Sequence, residues 1–167
     1  MAPDDSPVLK LRAEDADDLA VLSACLQDAL VAVRDLGYLA EEQRFIFVAN
    51  RFRWETGPCP LPREGHQRVL CAVTFGAVTG VSYRGFRRAD EDRILCLLAI
   101  RSKPAPTLPS PARGGGLGKG DGGAVLLEFA GAAAIRLEAA RIQCHAKDLG
   151  EPWPTSWRPR HDGNAAK

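Results

Sequence analysis

The sequence lacks a long hydrophobic run, and its first residues do not predict a secretory leader. Its apolar stretches are short and interrupted by charged residues, and none approaches the roughly 18 to 20 residues that a membrane-spanning helix needs. Residues 1–5 are acidic on balance, whereas a signal peptide begins with basic residues followed by an apolar stretch. We therefore expect a cytoplasmic protein with no membrane contact.

The sequence also lacks the spacings of a metal, redox or nucleophilic site. Its five cysteines include no Cys-X-X-Cys pair, which is typical of buried thiols in a reducing compartment. Its three histidines are scattered along the chain. Cys59 and His66 share a loop, but nothing there supplies an oxyanion-hole donor or a leaving-group acid. Gly118-Lys119 lacks the spacing of a phosphate-binding loop. The sequence predicts no catalytic residue, no metal ligand and no cofactor.

The net charge of +1 conceals an uneven distribution of charge along the chain. Residues 1–43 carry a net charge of −7, and the remainder carries +8. A chain of 167 residues with 46% hydrophobic residues is typical of one globular domain. The pattern predicts a single domain with an acidic helix surface and an arginine-rich sheet surface.

A helical pattern begins at Asp15. Apolar residues then repeat at steps of three and four, and the pattern ends near Gln27 or Asp28. Asp15 can serve as the N-cap, and Asp17 and Asp18 then lie in the first turn, where negative charge suits the helix dipole. We predict one N-terminal helix over these residues.

After the helix the apolar period changes to two, which is typical of strands. The predicted strands are 31–38 with an irregularity near Asp35, 44–54, 69–73, 81–83, 94–100, 124–129, 134–138 and 139–149, the last of which also fits a helix. Hairpin-length connections favour antiparallel pairing. The sequence thus predicts an α+β fold, with the N-terminal helix packed on a curved, mostly antiparallel sheet or roll of about seven to eight strands.

A Pro/Gly-rich segment at 103–123 separates two strong strands that would otherwise form a tight hairpin. It contains almost no core-forming residue, and a loop of this length without structure is unusual inside a compact domain. We interpret it as an inserted loop at a hairpin tip. The predicted organisation is a disordered lead at 1–8, a single α+β domain over 9–162 and a disordered tail at 163–167.

Two segments combine arginine with aromatic residues. Residues 51–54 alternate arginine and aromatic residues, so that a strand would place both aromatic side chains on one face and both arginines on the other. Residues 151–161 contain two tryptophans and three prolines, which hold the backbone in extended forms. The tryptophans either close one side of the core or form a binding surface. The candidate partner-binding surface comprises Arg51, Arg53, Trp54, Trp153, Trp157, Arg158 and Arg160.

Three functions remain open at this point. Arginine and tryptophan dominate interface energetics, which favours a noncatalytic domain that binds an unknown protein partner, or an adaptor domain. The same residue types suit a module that binds single-stranded nucleic acid, although lysines are few and no RNA- or DNA-binding motif is present. An enzyme would need a cleft, and the residues that could line one are His145, Asp148, Glu151 and Arg160.

Four stretches of the chain, at 9–15, 26–29, 48–55 and 149–154, together resemble a bacterial family of domains of unknown function, DUF2948. The resemblance covers about residues 9–162, and its most specific pieces are Asn-Arg-Phe-Arg-Trp and Gly-Glu-Pro-Trp-Pro. It implies no assigned activity, cofactor or catalytic residue. The family pattern does not require the segment at 104–122, which agrees with an insertion there.

Overall fold

The structure is a computed structural model that describes residues 8–56, 66–104, 123–157 and 159. Within these ranges the chain forms one α-helix, ten strands and three short 3-10 helices. The helix is α1 (Ala16–Cys25), and the strands are β1 (Lys10–Ala13), β2 (Leu30–Ala32), β3 (Leu36–Leu39), β4 (Arg44–Phe52), β5 (Gln67–Phe75), β6 (Val78–Arg84), β7 (Ile94–Pro104), β8 (Gly123–Phe129), β9 (Ala134–Ala139) and β10 (Cys144–Pro154). No helix in the described part of the chain has the length and apolar character to cross a membrane.

The helix begins where the sequence predicts. The Asp15 side chain accepts the backbone N–H of Asp18 at 2.8 Å, which confirms Asp15 as the N-cap. The helix ends at Cys25, slightly before the predicted boundary, because Asp28 turns the chain into the sheet. Asp28 adopts a φ of 61°, and its N–H donates to the carbonyl of Leu97 on β7.

All strand pairs of the sheet are antiparallel, as predicted. The strand order is β1-β10-β5-β4-β2-β7-β8-β9-β6, with β3 paired to β4, so among the described residues the sheet is open and not closed into a roll. The predicted number of seven to eight strands is too low. β1 has too few apolar residues to show a period, and a 3-10 turn at Val33–Asp35 divides the first predicted strand into β2 and β3.

The sheet has a buried inner face and an outer face that is partly exposed. On β4 the inner face carries Phe45 and Phe47, and the outer face carries Ile46 and Val48. The inner residues form one continuous core with the buried side of α1, which contributes Leu19 and Leu22. Burying each such large apolar side chain contributes roughly 1.5–3 kcal/mol.

The predicted lead at 1–8 and tail at 163–167, apart from Val8, lie outside the described residues, as does 105–122 of the predicted insertion. The strands on either side of the insertion, β7 and β8, pair with each other up to the ends of the inserted segment. Pro104 and Gly123 are direct partners in the β7–β8 ladder, so the two ends of the segment meet at the last rung of a hairpin.

We predict that deleting residues 106–120 leaves the melting temperature nearly unchanged. The deletion joins Ala105 to Asp121 and leaves a three-residue Ala-Asp-Gly connection, a length that suits a hairpin with glycine at its last position. Shortening a loop also slightly lowers the entropic cost of bringing its two ends together. Thermal unfolding followed by circular dichroism checks the result, and a fall of more than about 5 °C, or roughly 1–2 kcal/mol, would contradict it.

Candidate functional site

The largest fully buried side chain in the described residues is that of Arg51, near the end of β4. Its Nε and Nη2 donate to Oδ1 and Oδ2 of Asp148 on β10, each at 2.7 Å. Its Nη2 and Nη1 also donate to the carboxylate of Glu55, at 2.6 Å and 3.1 Å. One guanidinium therefore joins the buried carboxylate of Asp148 to the partly exposed carboxylate of Glu55, and the bidentate geometry to Asp148 is of the strong kind.

The register of the sheet brings these residues together. Cys71 on β5 pairs with Ala49 on one side and with Asp148 on the other. Arg51 lies two residues beyond Ala49 and so points to the same inner face, from which it reaches across β5 to Asp148. The backbone N–H of Leu9 donates to Asp148 Oδ2 at 3.1 Å, which ties the start of the domain to the same carboxylate.

The electrostatics of this cluster favour the charged forms of Arg51 and Glu55. Burial lowers the pKa of Arg51, but the bonds to Asp148 and Glu55 raise it more, so that its pKa lies above the ordinary value. Burial raises the pKa of Glu55, and Arg51 more than offsets this, so that it lies below its usual range. The adjacent Cys71 thiol has a pKa of about 12, because it is buried and faces Asp148, and so it remains protonated at neutral pH.

The structure places Arg51 and Arg53 inside the domain and not on the surface where the sequence predicts them, with side chains 0% and 4% exposed. Both faces of this strand end are covered, which the arginine–aromatic alternation does not reveal. Arg53 donates to the side chain of Gln67 at 2.5 Å, and the half-buried Trp54 donates its indole N–H to the carbonyl of Gln27.

The two tryptophans of the C-terminal segment are exposed, Trp153 to 37% and Trp157 to 59%. Trp153 belongs to β10 and pairs with Arg68 of β5 after a register shift. The segment is therefore partly a strand of the sheet and not a separate arm. Arg158 and Arg160, the remaining members of the predicted surface, lie outside the described residues.

Apolar side chains occupy adjacent strands on the outer face of the sheet. One cross-strand row runs from Leu149 through Leu70, Asn50 and Leu30 to Cys96. Four large residues of this region are 39–54% exposed. We call these four residues, which are Leu70, Ile94, Leu98 and Leu149, the apolar patch.

A group of basic residues borders the apolar patch. Lys10 pairs with Lys147 and Arg12 pairs with His145, so that all four side chains share the outer face with Leu149. All four are exposed. We call Lys10, Arg12, His145 and Lys147 the basic margin.

Arg68 is a buried cation on the outer face, only 5% exposed. Its Nη1 donates to the carbonyl of Asn50 at 3.0 Å, whereas Nη2 has no hydrogen-bond partner among the residues that the structure describes. The ring of Trp157 lies 5.6 Å from the guanidinium carbon. Burial lowers the pKa of Arg68, and Cys96 and Asp28 act against this.

Of the four residues that could have lined an enzymatic cleft, the three that the structure describes do not converge on one site. The Asp148 carboxylate is on the inner face with Arg51, and His145 is exposed on the outer face. Glu151 lies beyond them on β10, and Arg160 is outside the described residues. Across the described ranges, no three His, Cys, Asp or Glu side chains are placed to hold a metal ion. Cys59 also lies outside these ranges, and His66 packs against the ring of Phe52.

A protein-family model described as "Protein of unknown function (DUF2948)" matches residues 9–161. The chain belongs to this family. The match confirms the resemblance of the four stretches, one of which supplies Arg51 and Glu55 to the buried cluster of the DUF2948 domain. No curated protein and no solved structure matches the chain.

The sequence did not predict the apolar patch or Arg68, although one signal for them was present. Residues 69–73 of β5 are apolar in both phases, which is typical of a strand that is covered on both faces. In the DUF2948 domain one phase faces the core, and the other, through Leu70, faces outward. A strand of this kind with only one covered face indicates a second surface to be covered.

Proposed function

We propose that the DUF2948 domain is a noncatalytic protein-binding or adaptor domain and that the apolar patch is its binding surface. Single exposed leucines are ordinary on protein surfaces, but contiguous apolar residues on one face mark interaction sites. The observation that supports this proposal is the 39–54% exposure of Leu70, Ile94, Leu98 and Leu149 on the outer face of one sheet. Trp153 and Trp157 lie beside Arg68, and tryptophan is a residue type that anchors interfaces.

The chemistry of this face suits a protein partner better than a nucleic acid. Binders of single strands use several aromatic side chains as stacking platforms along a basic groove. Here the four exposed side chains of the apolar patch are leucine and isoleucine, and the Phe52 ring is buried. Trp157 already stacks on Arg68. The basic margin favours a partner surface that combines apolar residues with acidic ones.

We further propose a cytoplasmic location in a bacterial cell. Cys25, Cys71, Cys96 and Cys144 carry free thiols, which is typical of proteins in a reducing compartment.

The double variant Leu70→Ser/Leu149→Ser is expected to lose its partner. Both side chains are exposed in the free domain, so their replacement changes the surface with little effect on the core. Proteins retained by the wild type are identified by affinity purification and mass spectrometry, and the leading one is then purified and titrated by calorimetry. We expect the double variant to bind it at least about tenfold more weakly, which corresponds to about 1.4 kcal/mol.

Val21→Ser is the matched control, because Val21 is 57% exposed and lies on α1, away from the outer face. It should bind the partner as the wild type does. Equal affinity of the double variant and the wild type would contradict the proposal. Binding of a fluorescent oligothymidine that falls steeply with added salt would favour the nucleic-acid alternative instead.

A further inference from the structure

We propose that Arg68 is the carboxylate-binding residue of the DUF2948 domain, and that the partner carries an aspartate or glutamate within an apolar segment. This inference rests on the proposed function and specifies the chemistry of the partner. Arg68 lies on the outer face next to Leu70, two residues along the same strand, so that a segment covering the apolar patch also reaches the guanidinium.

One nitrogen of the Arg68 guanidinium lacks a hydrogen-bond acceptor in the described part of the chain. Its Nη1 is engaged by Asn50, whereas its Nη2 is buried and has no acceptor among the described residues. The buried guanidinium is therefore shielded from solvent, and one of its N–H groups has no acceptor within the described ranges. A carboxylate at Nη2 would form a charge-assisted hydrogen bond in a site that has already been desolvated.

The charges around Arg68 on the outer face come from several strands. Burial lowers the pKa of Arg68, and Cys96 on β7 and Asp28, which leads into β2, act against this. Farther out on β1 and β10, the basic margin supplies four cationic or titratable side chains. These basic groups steer an acidic segment toward the patch, and Arg68 then supplies the specific contact.

Trp157 covers the guanidinium and must shift when the carboxylate binds. Among the described residues, the backbone N–H of Trp157 donates to the Thr155 hydroxyl at 3.3 Å, and the backbone N–H of Thr155 donates to the carbonyl of His66 at 2.8 Å. The Trp157 side chain is 59% exposed, so its rotation disturbs little buried surface. After this shift the indole is positioned to pack on the apolar residues of the incoming segment.

Selection from a phage-displayed library of random peptides tests the inference on the full chain. We expect the wild type to enrich peptides in which Asp or Glu lies among apolar residues. One enriched peptide is then synthesised with its acidic residue and with the matching amide, Asn or Gln. The acidic form is expected to bind the wild type about tenfold more tightly, and Arg68→Met should reduce this ratio to near one. Arg68→Lys, which keeps the charge, should restore part of it.

The outcomes separate the two proposals. Enriched peptides that bind equally well as acid and amide, or whose preference survives Arg68→Met, would overturn the role of Arg68 and leave the apolar patch intact as a binding surface. Peptides whose binding survives Leu70→Ser/Leu149→Ser would contradict the proposed function itself, and absence of enrichment counts against both. The acid-to-amide comparison on the wild type decides the matter even if Arg68→Met fails to fold.

A lipid surface is the other partner that a basic and apolar face could accept. Vesicles of phosphatidylcholine with and without phosphatidylserine serve as the probe. Binding that requires phosphatidylserine and is lost in Arg68→Met would assign the site to an anionic membrane and overturn the proposed protein carboxylate. Binding to neither kind of vesicle, together with a preference for the acidic peptide, supports it.

Discussion

Replacing Arg51 with methionine is expected to destabilise the domain by about 3–5 kcal/mol, because the change leaves Asp148 as a buried charge without its counter-ion. Glu55 contributes less to this loss, since its side chain is 39% exposed and can turn toward water. Urea denaturation at pH 7 measures the loss, which corresponds to a fall in melting temperature of roughly 10 °C or more.

The double variant Arg51→Met/Asp148→Asn tests the physical reason for this loss. The amide removes the unpaired charge but keeps an oxygen that can accept the Leu9 N–H, so we expect the double variant to be more stable than Arg51→Met alone. Arg136→Met is the control, because Arg136 forms a solvent-exposed pair with Glu138, and water screens such a pair so strongly that its loss should change stability little. A loss at Arg51 no larger than that at Arg136 would show that the buried ion pair does not form in solution.

Local patterns predicted much of the fold because the rules behind them act over a few residues. Asp15 caps the helix, and the irregularity near Asp35 is the 3-10 turn between β2 and β3. The segment that also fitted a helix is β10, since tertiary pairing with β1 and β5 decides its conformation. β1 was missed because a strand of four residues with two apolar positions gives too little periodicity to detect.

The candidate site was less predictable, because its residues are brought together by long-range pairing. The alternation at 51–54 shows that Arg51 and Phe52 face opposite ways, but it does not show that both faces are covered. The partner of Arg51 is Asp148, 97 residues away, and no local pattern links the two. For the same reason, the pairing of Leu70 with Leu149 could be predicted only by knowing which strands are neighbours.

The buried cluster and the proposed binding surface share one structural basis. Arg51 on β4 reaches Asp148 on β10 across β5, which fixes the relative register of the three strands from the inner side. A slip of one residue would exchange the two faces of a strand. The contact on the inner face therefore also stabilises the alignment of Leu70 with Leu149 and the position of Arg68 on the outer face.

Gly85, which follows β6, is expected to tolerate no side chain. Its φ is 79°, and a Cβ there would lie 2.9 Å from both the carbonyl oxygen of Ala132 and the Cα of Ala133, in the turn between β8 and β9. Left-handed strain and the backbone clash together make Gly85→Ala destabilising by roughly 2–4 kcal/mol. Thermal unfolding of the variant measures this loss as a lower melting temperature.

Gly131, in the turn between β8 and β9, separates strain from clash, because its φ is 75° but a Cβ there would meet nothing within 4 Å. Gly131→Ala should therefore cost only the left-handed strain, about 1–2 kcal/mol. Equal losses for the two variants would mean that backbone strain alone explains both and that the contact between the two turns is absent. A larger loss at Gly85 would show that the turn between β8 and β9 packs closely against the end of β6.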